Sequence, residues 1–235
     1  NLVVNFSKKH QFSTEIKLGG QIVETVNQTK LLGTIITNDL SWNKNTDFIV
    51  KETNKRMRLL HRASKFTSNI SDLKQIYMLQ IRSKLDQSAV VWHSSLTKRN
   101  RYDLERIQKS ALKCILGNRY VCYEDALDKL QLQSHEERRE AMCLKFAIQC
   151  LKIQKMKHLF PKKVKSHDML KRNSEIFDFV KPKTSRYQLS AIPVMQRILE
   201  KAEAKKKQVL RKFSSIAMPV KNDYCTNLHH CDNKN

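Results

Sequence analysis

Two periodicities divide the chain. Up to Thr37 the apolar residues come in short runs rich in β-branched side chains: LVVNF (2–6), TEIKL (14–18), QIVETV (21–26) and KLLGTIIT (30–37). Runs of this length bounded by turn residues predict strands, and Gly19-Gly20 falls at two-residue hairpin spacing between the second and third. In the last run Leu31, Leu32, Ile35 and Ile36 read as buried and extended, with Gly33 inside the strand. From Asn43 onward apolar residues recur at spacings of three and four, which predicts helices over 45–66, 71–92, 98–116, 123–130 and 134 to about 154. Ser71 is the expected N-cap of the second helix, and Gly117-Asn118 the stop of the third. Ser134 and Glu137 in SHEE form the capping-box pattern of the fifth. One further helix, 194–213, is expected after Pro193.

The pattern therefore predicts a mainly α chain with a small N-terminal antiparallel sheet. Three segments follow: a β region (1–42), a helical region (43–155), and a basic, partly disordered tail (156–235) carrying the 194–213 helix. Only four glycines and four prolines interrupt the 235 residues, which favours long helices.

Charge changes the picture most. There are 45 Lys and Arg against 22 Asp and Glu, a formal net charge of +23, and residues 151–235 alone hold 20 against 7. Such an excess calls for a polyanionic partner, and nucleic acid is the commonest. No apolar run approaches the roughly 20 residues of a spanning helix, so no membrane insertion is expected. No signal peptide is visible, and a start on Asn1 within a strand-like run predicts a fragment of a longer protein. Of the six cysteines, 114, 122, 143 and 150 fall within helical patterns. With no CxxC pair they read as reduced, intracellular and buried.

Candidate chemistry centres on cations. Lys51, Lys55, Arg58, Arg62 and Lys65 are spaced 4, 3, 4, 3 along the first helix, which confines them to one face, opposite Ile49, Met57, Leu60 and Ala63. The row spans about 20 Å, the reach of several successive phosphates. An ordinary solvated face is the competing account, but no acid lies within the row itself. On the third helix Leu104, Ile107, Ala111 and Ile115 form an apolar stripe, and Arg106, Lys109 and Lys113 a basic one, with Glu105 placed to pair with Lys109. There is no Asp-Asp or Asp-x-Asp, Gly-rich phosphate loop or nucleophile elbow. CTNLHHC offers Cys225, His229, His230 and Cys231 as candidate zinc ligands, spaced more tightly than in common zinc knuckles.

Several blocks together resemble one family. KLLGTIITNDLSW, a helix with RMRLL, LKQIYMLQIRSKLDQSAVVWHSSLT, DLERIQKSALKCILG, YEDALDKLQL, ERREAMCLKFA and SRYQLSAIPVMQRIL resemble the region after the catalytic palm in LINE-type (non-LTR), jockey-like retrotransposon reverse transcriptases. The resemblance covers roughly residues 1 to 200. It implies that the Leu32-Gly33 strand belongs to a primer grip, that Trp42 anchors the passage from sheet to thumb, and that the helices hold a template–primer duplex of RNA or DNA. The residues then expected to contact nucleic acid are Lys30, Leu32 and Gly33 of that strand, together with the cations read from helical spacing: Lys51, Lys55, Arg58, Arg62, Lys65, Arg106, Lys109 and Lys113. It further implies an upstream palm of the same polyprotein as partner, a ribonucleoprotein in the nucleus or cytoplasm, and Mg²⁺ bound only in that palm. Lacking the palm's acidic pair, this chain should not polymerise alone. At position 135 it has His where the family more often has an apolar residue. A free-standing basic helical adaptor on RNA, chromatin or anionic membranes, and a zinc-dependent nucleic-acid protein, are the alternatives that the residues leave open.

Overall fold

A computed structural model describes residues 1–6, 16–161 and 184–216, the last eleven (206–216) by backbone alone. It is mainly helical, with two small antiparallel hairpins at the N-terminus. β1 (Lys17–Leu18) pairs with β2 (Gln21–Ile22) across Gly19-Gly20, as expected. β3 (Gln28–Leu31) pairs with β4 (Thr34–Thr37), Lys30 opposite Ile35. The run 2–6 forms no strand; instead the Asn1 ammonium donates to Glu24 O (2.7 Å) and Val26 N donates to Asn1 O (2.8 Å).

The second hairpin corrects the expectation of one strand over 30–37. Leu32 and Gly33 both have positive φ, 48° and 81°, the signature of a two-residue type I′ turn, whose twist matches that of paired strands. Gly33 is thus a turn residue, and Leu31 and Leu32, expected to be buried, are exposed, Leu32 at 88 %. The buried positions of β4 are Thr34 and Thr37, with Ile35 and Ile36 half-buried. Asn45 locks this hairpin to the helices, its buried Oδ1 accepting from Ile35 N at 3.0 Å.

The helices follow the apolar periodicity closely. α1 (Asn43–Phe66) buries Ile49, Thr53, Met57 and Leu60, and α5 (Lys98–Leu116) buries Leu104, Ile107, Ala111, Leu112 and Ile115. α6 is Tyr123–Lys129; α7 is His135–Lys152, with the expected capping box between Ser134 and Glu137. α5 ends at Gly117 as predicted, with φ at 52°. The expected helix 71–92 is interrupted. α2 (Ile70–Ile76), capped by Asn69 and not Ser71, passes through a π-helical turn (Tyr77–Arg82) into α3 (Ser83–Asp86). The buried residues Leu73, Tyr77, Ile81 and Leu85 recur every four residues. That spacing overruns a turn of about 3.6, and the wider turn keeps them in one line. Ser88, with φ 54°, then breaks the helix before α4 (Ala89–Trp92), while Gln87 O accepts from the Trp92 indole at 3.0 Å.

The main core lies between α1, α2 to α4, α5 and α6. A second cluster joins Cys143, Ala147 and Cys150 of α7 to Phe160, Met195 and Leu199. The last two belong to α9 (Ala191–Ile216), which follows the short α8 (Ser185–Gln188) and begins earlier than the 194–213 expected. Pro193 sits in its first turn, where backbone N–H groups have no intrahelical partner and its lack of a donor costs nothing. Arg186 returns to the N-terminal region, donating to Asp39 O (3.1 Å) and stacking on Phe6. Burial of the helical cysteines holds for Cys143 and Cys150, whereas Cys114 is half-buried and Cys122 is exposed at the start of α6.

Candidate nucleic-acid interface

On α1, Lys51, Lys55, Arg58, Arg62 and Lys65 are all exposed, opposite the buried face. One of them is engaged: Lys55 Nζ lies 2.7 Å from Glu52 Oε1, so an acid flanks the row although none lies in it. The lysine's charge and neighbouring Lys84 and Arg56 hold the Glu52 carboxyl below its usual range, behind the larger contribution of the Lys55 hydrogen bond itself.

Where this face points depends on how α1 meets α5. The two helices run parallel: Asn100 Nδ2 donates to Asn43 Oδ1 (2.9 Å) near their starts, and Cys114 Sγ lies 3.5 Å from Ser64 Oγ near their ends. At about 100° per residue, the α1 row centres roughly 120° clockwise of this seam viewed from the N-terminus, and Arg106 and Lys113 lie roughly 100–120° anticlockwise of it on α5. In a parallel pair of right-handed helices those rotations turn toward the same side. The fold thus brings the five α1 cations together with exposed Arg106 and Lys113 on one side of the pair.

Lys109 and Lys113 are held by rings, over Tyr123 (4.9 Å) and Tyr120 (5.3 Å). The expected Glu105–Lys109 pair does not form, because Glu105 instead takes the Tyr123 hydroxyl and the His135 amide (3.2 Å). Burial, then this hydrogen bond, pushes the Tyr123 phenol up.

At the other edge of the α1 row, Lys30 of β3 and Lys84 of α3 both sit over the ring of Phe48, at 4.8 and 4.9 Å. Phe48 precedes Lys51 by three residues and Lys55 by seven, so Lys30 joins the N-terminal end of the row. Lys84 was not legible as part of this surface: on its own helix it is a lone cation, and only the fold carries it to Phe48. Burial, followed by the charges of Arg56 and Lys30, lowers its pKa. Leu32 and Gly33 stand apart from this chemistry. Gln87 Nε2 donates to Leu32 O (3.1 Å), and a Cβ on Gly33 would meet that nitrogen at 2.4 Å. The close approach at this glycine is made by the chain's own side chain.

Beneath the surface lies a second group of cations that the sequence did not single out. Arg139 and Arg82 are buried, as are His135 and His93, around Asp86. Arg138 Nε reaches Asp86 Oδ2 at 2.5 Å, and His135 Nδ1 lies 3.9 Å from Oδ1, beyond hydrogen-bonding distance. Arg139 Nε donates to His93 Nδ1 (3.2 Å), which requires a neutral imidazole. Burial first, then Arg139 and Arg101, depresses the His93 pKa to about 3. Burial and three arginines likewise hold His135 well below its usual value. Among the described residues neither His135 ring nitrogen nor either Arg139 terminal nitrogen has a hydrogen-bond partner.

The zinc candidates Cys225, His229, His230 and Cys231 lie outside the described residues, among which no cluster of three His, Cys, Asp or Glu could hold a metal ion. No described helix is long and apolar enough to cross a membrane. Searches of family models, curated proteins and solved structures find nothing that matches this chain.

Proposed function

We propose that the chain grips a nucleic-acid duplex through the outer face of α1, without reading its sequence. On this reading it serves as the thumb and downstream region of a LINE-type, jockey-like reverse transcriptase, beside a palm from the same polyprotein and within a ribonucleoprotein. The observation that carries the reading is the uninterrupted exposed row from Lys51 to Lys65. Phosphate neutralisation supplies essentially all of sequence-independent binding, and it requires accessible cations at repeated spacing more than shaped pockets. Arg106, Lys113 and Lys30 extend the surface. The role is non-catalytic, since the sequence carries neither Asp-Asp nor Asp-x-Asp for two-metal chemistry.

The test is the salt dependence of affinity for an RNA–DNA hybrid, measured by fluorescence anisotropy with wild type and a variant carrying Gln at positions 51, 55, 58, 62 and 65. Each phosphate contact contributes about 0.9 to the slope of log K against log salt on B-form DNA, and about 0.7 on single strands. Because Lys55 is shared with Glu52, the slope should flatten by about three to four units. Affinity should vary little among unrelated duplex sequences. An unchanged slope removes this face from the interface.

A further inference from the structure

Arg139 lies on α7, one turn beyond its start, with 0 % of its surface exposed. Its Nε is satisfied by His93, but its two terminal nitrogens are not, and burial lowers its pKa. An unpaired buried guanidinium is costly, and native structures resolve such groups with a counter-anion or ordered water. Arg139 also lines a cleft of about 300 Å³ between α5 and the first turn of α7, together with Arg101, Arg106, Lys109 and Ser134. Two carboxylates share the cleft but are already engaged: Glu105 by the Tyr123 hydroxyl and the His135 amide, Glu136 by Arg101. Four cations therefore face two committed carboxylates, and among them Arg139 holds open donors that are also cut off from water.

We propose that this cleft binds a phosphate group. The Arg139 fork has no exposed surface while Arg101 is paired with Glu136; once Arg101 parts from Glu136 the cleft opens onto it and both guanidinia hold the anion, Arg139 bidentately. An exposed ion pair such as Arg101–Glu136 is worth at most about 1 kcal/mol, so a dianion offered two guanidinia displaces it. Arg106 and Lys109 at the rim balance the second charge, and the first turn of α7 adds its dipole. The volume exceeds that of a bare phosphate and leaves room for a group attached to it, beside exposed Tyr102. The inference does not depend on the reading of the outer face of α1, from which Arg139 is remote in sequence and burial.

Thermal unfolding of the full chain in inorganic phosphate, compared with chloride at matched ionic strength, tests it. Phosphate at about ten times its Kd should raise the wild-type midpoint by about 3 °C. Arg139→Met should lose that increment. If Arg139→Met fails to fold, Arg101→Gln, at a half-buried position, should lose most of it, and Glu136→Gln should enlarge it by freeing Arg101. The five-fold α1 variant should keep it, which separates the cleft from general anion binding. A 5′-phosphorylated oligonucleotide that competes better than its 5′-hydroxyl counterpart identifies a strand end as the source; equal competition together with a response to inorganic phosphate identifies the free ion. A phosphate increment absent from wild type, or unchanged in both Arg139→Met and Arg101→Gln, overturns the proposal.

Discussion

The outer face of α1 and the floor beneath α7 use the same side-chain chemistry under opposite conditions. Arg58 and Arg62 stand in water beside other cations; Arg82 and Arg139 are enclosed by helices. In water a cation is already solvated, so its place on a helix face costs the fold little and leaves it free to meet a partner. In the interior it must be compensated by the fold itself: Asp86 pairs with Arg138 and lies close to His135, while Glu105 and Glu136 act more strongly on Arg139. The first kind of cation can be removed without loss of stability. The second cannot be changed without moving the balance of the whole cluster.

The largest effect should therefore come from Asp86→Asn. The substitution keeps the shape and removes the charge that Arg138 binds and that Arg82 and Arg139 feel at longer range. Losing a charge-assisted hydrogen bond between a nearly buried carboxylate and a half-exposed guanidinium costs about 2 kcal/mol, and urea unfolding should show a loss of that order. A change below about 1 kcal/mol would mean that Glu105 and Glu136 compensate the interior cations instead, and the contrast between the two regions would weaken.

The interior cluster should also make stability depend on pH, where the outer face should not. His93 and His135 both have folded pKa values depressed below the unfolded value of about 6.5. Above that pH both states hold neutral rings and no stability is lost. As pH falls below it, the unfolded chain takes up protons that the folded one refuses, so stability drops by up to about 1.4 kcal/mol per pH unit per histidine. The window from about pH 6.5 to 5 isolates this effect before the carboxylates titrate. His135→Leu removes one of the two contributions and two orphaned ring nitrogens. It should roughly halve the slope in that window and raise stability at neutral pH by about 1 kcal/mol. A slope unchanged in His135→Leu would show that this ring does not titrate on unfolding.

The difference between the regions also explains what the sequence disclosed. The α1 row was legible because exposed cations at 4, 3, 4, 3 spacing form a pattern within one helix. α5 was legible to the residue from its apolar stripe and the Gly117 stop, and the structure adds Thr97 as its N-cap. The interior cluster was not, because Asp86, His93 and the His135–Arg139 face of α7 come from three separate segments and meet only through packing; His135 alone stood out, as an imidazole at an apolar position. The two hairpins make the same point in miniature. Both turn through two residues of positive φ, yet Gly19-Gly20 announced itself, whereas Leu32-Gly33 hid behind an apolar leucine in a conformation that leucine rarely adopts.

Gly33 was grouped by sequence with the residues that face a partner, and its geometry groups it with those that serve the fold. Gly33→Ala would place a side chain at φ 81° and drive it into the Gln87 amide, disturbing the bonds from Gln87 to Leu32 O and from Lys84 to Gln87. A loss of about 1–2 kcal/mol is expected, with duplex affinity unchanged in the protein that remains folded. Full stability with weakened binding would return Gly33 to the outer, partner-facing group.

The smallest effect on stability belongs to the same five-fold Gln variant of α1 that should most alter salt-dependent binding. Within the row, Lys51–Lys55 and Arg58–Arg62 are like charges one turn apart, and Lys55–Arg58 and Arg62–Lys65 lie three residues apart. Each such contact destabilises a helix by about 0.2–0.5 kcal/mol. Against this stand the Lys55–Glu52 pair and the interaction of Lys65 with the helix C-terminus, each stabilising by a few tenths to about 0.5 kcal/mol. The balance favours the variant by about 0.5 kcal/mol at low salt, and screening should erase the gain as ionic strength rises toward 1 M. Urea unfolding at two salt concentrations measures both. A row of mutually repelling cations retained at a cost to its own helix is expected of a surface that meets a polyanion. A loss of more than about 1 kcal/mol in the variant would instead make the row part of what holds α1 in place.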